Sequence, residues 1–147
     1  MRKSSTKLLE IATMSLPATT AMTLFSHGLS RITKERLTEP VLLNKFLHKK
    51  AKHAPIGYVI HYLVGMCFSI IYRPLWKNIN RLTYMHGLGY GFLSGITGIA
   101  GWAMTFKVKV NPPKTNLGLY FAQLLAAHIV FGLVNCLLYR RIKKISR

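Results

Sequence analysis

Charged residues punctuate this chain instead of spreading along it. Between them lie four long uncharged segments, Ile11 to Ser30 (20 residues), His53 to Tyr72 (20), Leu82 to Phe106 (25) and Thr115 to Tyr139 (25). A helix rises about 1.5 Å per residue, so roughly 20 residues cross a hydrocarbon core of about 30 Å. None of the four shows the charged face, at a period of 3.6, that a helix on the surface of a soluble domain would carry. The pattern predicts an all-α polytopic membrane protein, a single domain over 1–147 whose four transmembrane helices, at about 9–30, 54–74, 82–106 and 115–139, form an antiparallel bundle.

The small and polar positions within the spans have their own period. Ser15, Thr19, Thr23 and His27 recur every fourth residue in the first span, as do Gly57, His61, Gly65 and Ser69 in the second. Residues at this spacing share one helix face, and such a ridge belongs against another helix and not against lipid. Pro17 is expected to bend the first span. The third span carries Gly87, Gly91 and Gly95 in a repeated GxxxG, and the fourth carries Gly118, Ala122 and Ala126 at the same spacing. Close packing of spans three and four through these residues is the contact the pattern implies. In the loop from Arg31 to Lys52, Thr38-Glu39-Pro40 reads as a helix start. The short helix after it sets Val41, Leu42, Leu43, Phe46 and Leu47 against Asn44, Lys45, His48, Lys49 and Lys52, the pattern of an amphipathic helix lying in the interface. Asn111-Pro112-Pro113 marks a surface turn between the last two spans.

Charge adds the surroundings. The chain has 21 Lys and Arg against 3 acidic residues, and nearly every basic residue flanks a span. Placed there, they contact anionic lipid headgroups, and nucleic acid is not an expected partner. The cluster Arg140, Arg141, Lys143 and Lys144 beside the last span favours both termini in the cytoplasm. Glu10 interrupts what could otherwise pass for a signal sequence, so the first span is expected to be retained.

The chemistry on offer is narrow. Asp is absent, and Glu10, Glu35 and Glu39 all fall outside the four uncharged segments, which argues against carboxylate proton relays and against paired-carboxylate hydrolases. Cys67 and Cys136 form no CxxC and read as buried thiols. No HExxH, P-loop or GxSxG occurs, so no enzyme signature is present. The histidines at membrane depth, His27, His61, His86 and His128, are the candidate ligands for haem or a metal, or for hydrogen bonds between helices. Depth pairs His27 with His61, near one membrane face. By rise per residue, His86 and His128 differ by roughly 10 Å. His48 and His53 are assigned to the basic loop.

The segments Ala18-Thr-Thr-Ala-Met-Thr-Leu-Phe-Ser26, Asn111-Pro-Pro113 and Ala127-His-Ile-Val-Phe-Gly132 together resemble small four-span bacterial membrane proteins of unknown function. The resemblance implies a four-helix protein of the bacterial inner membrane and carries no activity, cofactor or catalytic residue with it. The functional expectation is a non-enzymatic bundle binding a membrane partner, another copy of itself, lipid or a small ligand. A b-type haem or metal protein using His27 and His61, and a small channel or carrier, are the alternatives.

Overall fold

The computed structural model describes residues 2–35, 38–47 and 55–145. They form five helices and no strand: α1 (Arg2–Thr33), α2 (Glu39–Leu47), α3 (Ile56–Lys77), α4 (Tyr84–Val108) and α5 (Leu117–Ile145). His48, Lys49, Lys52 and His53 of the basic loop lie outside the described residues. Three stretches are long and apolar enough to cross a membrane: Lys7–Thr33 of α1, Ile56–Lys77 of α3 and Leu117–Lys144 of α5. The 25 residues of α4 match them in length. This helix carries Gly87, Gly89, Gly91, Gly95, Gly98 and Gly101 and is not among those three.

The distribution of polarity is the reverse of a soluble bundle. Ser15, Thr19, Thr23, Ser26, Ser69, Ser94, Gln123 and Asn135 are buried, whereas Leu24, Phe25, Leu63, Ile71, Phe92, Leu93 and Met104 are exposed. In water this arrangement would leave apolar surface wet and polar groups desolvated. In lipid the exposed apolar surface carries no such cost, and buried hydroxyls and amides bond either to their own helix, as Thr23, Ser69 and Ser94 do, or across to another, as Asn135 does to Ser69.

The polar ridges of α1 and α3 meet each other in antiparallel register. Thr19 fills the space beside Gly65, Tyr62 shares a 2.7 Å hydrogen bond with Thr20, His61 meets Thr23, and Tyr58 meets His27. At one end Arg73 closes the seam on Glu10, with Nη2 2.5 Å from Oε2. Tyr139, late in α5, stacks on Trp76 at this end, so the start of α1 and the end of α5 share it; it is called the terminal end below. Lys143 caps α3 there by donating to the carbonyl oxygens of Lys77 and Ile79.

α5 is the centre of the bundle, packed along both α1 and α4. Gly87, Gly91 and Gly95 do face α5, but they do not face Gly118, Ala122 and Ala126. A Cβ on Gly87 would lie 2.9 Å from that of Cys136, one on Gly91 2.8 Å from the Cα of Ile129, and one on Gly95 3.2 Å from the Cα of Leu125. Gly118 has only the Asn116 side chain near it, and Ala122 is exposed. The reason is direction. In an antiparallel pair the residue numbers run in opposite senses, so the start of α4 meets the end of α5, and matching the two starts was mistaken.

The connections follow local chemistry. Lys34 and Asn111 both adopt φ 57°, the left-handed conformation that ends α1 and turns the chain after α4. α2 differs from the amphipathic expectation, since Asn44 is buried and not on a wet face. Its Oδ1 accepts the Gly57 amide at 2.7 Å, satisfying one of the free N–H groups in the first turn of α3. Gly57 is required here, because a Cβ would meet the Pro40 carbonyl oxygen and, at 2.6 Å, Asn44 Oδ1.

Candidate functional site: a lateral cavity

α3 and α4 meet at the terminal end and separate toward α2. The junction is aromatic: Tyr72 and Tyr90 have ring centroids 5.2 Å apart, and the Tyr72 hydroxyl donates to the Tyr90 carbonyl oxygen at 2.8 Å. Beyond it a cavity of about 340 Å³ opens between the two helices. Phe68 and Phe131 close its inner end, and Leu124, His128, Thr19 and Met22 make the back wall. At the other end α2 forms the roof, where Phe46 meets Trp102 edge-on at 5.5 Å and Phe106 at 5.1 Å. Lys109 holds this roof by hydrogen bonding to the Phe46 carbonyl oxygen. Val64, Thr97, Gly101 and Thr105, all exposed, form the mouth, so the cavity opens through the side of the bundle.

Two histidines reach this space. The Thr23 hydroxyl spends its only hydrogen on the Thr19 carbonyl oxygen at 2.8 Å, so at 3.1 Å from His61 Nε2 it can only accept. Nε2 of His61 is therefore the protonated nitrogen, and in the neutral ring Nδ1 keeps its lone pair. In His128 the assignment reverses: Nδ1 donates to the Leu124 carbonyl oxygen at 2.9 Å and Nε2 keeps the lone pair. A Cβ on Gly98 would stand 3.2 Å from that Nε2, so the bare glycine leaves this edge of the ring open.

The other two candidate histidines have structural employment. His27 is half-buried and its Nε2 lies 3.2 Å from the Tyr58 hydroxyl. The α1–α3 seam thus keeps His27 and His61 on successive turns, each Nε2 engaged by its own hydroxyl and not aimed at a common ligand. His86 sits at the first turn of α4, where Nδ1 accepts the Thr83 amide at 3.1 Å. His61 and His128 are the two that share a cavity. Among the described residues no three His, Cys, Asp or Glu side chains converge as metal ligands.

The most unusual group in the wall is Glu39, which the sequence places outside the spans at the start of a short helix. It is 2% exposed. Its Oε1 accepts from Ser26 Oγ at 3.3 Å and from Gln123 Nε2 at 3.2 Å, while Oε2 has no partner among the described residues. Burial pushes the carboxyl up to about 7, against the lowering effect of its own backbone hydrogen bond and those from Ser26 and Gln123. Thr38-Glu39-Pro40 announced the start of α2. Nothing local announced that α2 would fold inward against α3 and carry the carboxyl with it.

Comparison of the chain with protein-family models, with curated proteins and with solved structures finds no match.

Proposed function

We propose that this protein is a bilayer-embedded binding protein for a small lipid-soluble molecule. In this reading all four long helices, α4 included, cross the membrane as an antiparallel bundle, with α2 lying at the interface. The likeness to four-span bacterial proteins favours the inner membrane, and the basic cluster Arg140, Arg141, Lys143 and Lys144 favours both termini in the cytoplasm. The exposed apolar residues of α4, Phe92, Leu93, Ile96 and Met104, support its place in lipid beside the other three.

One observation carries the proposal: the cavity's mouth lies in the side of the bundle, between helices whose outer faces are apolar. A solute dissolved in the hydrocarbon reaches it without passing through water. About 340 Å³ falls at the lower end of the range of small-molecule sites. An apolar lining with a few placed polar groups is likewise what such sites have in common.

Trp102 in the wall gives the test. A small brominated hydrocarbon added to the protein in lipid nanodiscs should quench tryptophan fluorescence saturably. Gly101→Phe should abolish the saturable part, since a Cβ at Gly101 has no atom within 4 Å and the ring can occupy the mouth without displacing the fold. Identical, unsaturable quenching in both proteins would mean that Trp102 senses only dissolved probe, and would remove the proposal.

A further inference from the structure

We infer that the cavity selects a lipophilic amine, whose ammonium group pairs with the Glu39 carboxylate while its apolar body lies along the aromatic wall. The inference rests on the reading of the cavity as a ligand site and specifies the ligand's chemistry.

Among the described residues Glu39 is a buried acid with no ion-pair partner. The ion pair between Arg73 and Glu10 stands at the opposite end of the bundle. Among the described residues the side chains facing the carboxyl are neutral: Ser26 from α1, Tyr120 and Gln123 from α5, and His61 on the α3 side of the same cavity. Lys109, just beyond the end of α4, meets α2 at its far end, at Phe46, about 10 Å along the helix from Glu39. A carboxyl so placed holds its proton up to about pH 7 in the absence of a cation, because a lone buried charge is costly. With Oε1 already occupied, Oε2 is the atom left to receive one.

The remainder of the wall suits an organic cation. Phe46 and Trp102, in edge contact with each other, line the cavity together with Glu39, and Phe68 and Phe131 line its inner end. Aromatic faces attract ammonium groups, more strongly when water is excluded. The deeper polar points, His61 Nδ1 and His128 Nε2, are lone-pair acceptors. Gln123 and His128 are five residues apart on α5, about 7.5 Å of rise. A second donor on the ligand, a hydroxyl or N–H at that distance from the ammonium, would meet these nitrogens.

Binding then exchanges charge for charge. The amine reaches the cavity through the hydrocarbon as its free base, leaving its proton in solvent, and there takes the Glu39 proton as the O–H bond breaks and an N–H bond forms. The sum counted from water is one ammonium in and one proton out, and the cavity's net charge does not change.

The test compares 2-(naphthyl)ethylammonium with 2-naphthylethanol, its uncharged analogue, by calorimetric titration of the full chain in detergent. The amine should bind about tenfold more weakly at pH 6 than at pH 8, with Glu39 titrating near neutrality, while the alcohol binds equally at both. At pH 6 a weakly buffered sample should acidify by one proton per amine bound, a readout on the unaltered protein. Glu39→Gln should remove the pH dependence and bring the amine down to the alcohol's affinity. Equal, pH-independent binding of both compounds without proton release would overturn the inference and leave the cavity as a site for neutral ligands. Binding of neither compound would count against the site itself, and the inference would fall with it.

Discussion

A Cβ placed on Gly132 of α5 would lie 2.6 Å from the Cα of Gly91 in α4, well inside the contact distance of two carbon atoms. These two glycines set how closely α4 and α5 approach. In lipid, association relies on close packing because hydrocarbon offers no hydrophobic drive, so the contact is a principal stabilising feature of the bundle. Gly132→Ala should force the two backbones apart and cost about 1–3 kcal/mol, the usual range for overpacking. Gly101→Ala, with open space around its Cβ, is the control on the same helix pair. Thermal midpoints in one detergent compare them, and equal midpoints would show that the helices separate without penalty.

The elevated carboxyl of Glu39 makes stability depend on pH with a definite sign. Its value rises from 4.5 in the unfolded chain to about 7 in the native one, so between these limits the folded state binds more protons. Stability should therefore be greatest below about pH 4.5, fall as pH rises through the window to about 7, and level off above it. The full change is on the order of 3 kcal/mol. Unfolding midpoints across this window, compared with Glu39→Gln, isolate the contribution: the variant should lack the slope.

Arg73 and Glu10 tie α3 to α1 at the terminal end, each side chain 21% exposed. That exposure sets the pair between a surface bridge and a buried one. Arg73→Glu, which places two carboxylates together, should lower stability by more than about 1 kcal/mol. Combining it with Glu10→Arg should restore most of the loss. A double variant no better than the single one would show that the contact contributes nothing through charge.

Topology can be read by labelling. In a protein whose Cys67 and Cys136 are replaced by serine, single cysteines at Lys7, Lys144 and Lys114 would be exposed to an impermeant thiol reagent in sealed, oriented vesicles. Lys7 and Lys144 should label from one side and Lys114 from the other, as four crossings require. Labelling of Lys7 and Lys144 from opposite sides would mean an odd number of crossings.

The sequence by itself determined that the chain is helical, where its long apolar segments lie, and which helix faces are too small or too polar for lipid. Those properties are local: a period of four brings Ser15, Thr19 and Thr23 onto one face whatever that face touches. Tertiary structure decided the partners. The glycines of α4 meet Leu125, Ile129, Gly132 and Cys136 because the helices run antiparallel, and spacing alone does not encode direction. His61 shares its cavity with His128, and not with His27, because depth along a helix says nothing about which way a ring points. Glu39 is buried because α2 folds back on the first turn of α3, where Asn44 holds the Gly57 amide. That fold-back juxtaposes Glu39 with Gln123, which lies 84 residues along the chain, and no local pattern records an encounter of that range.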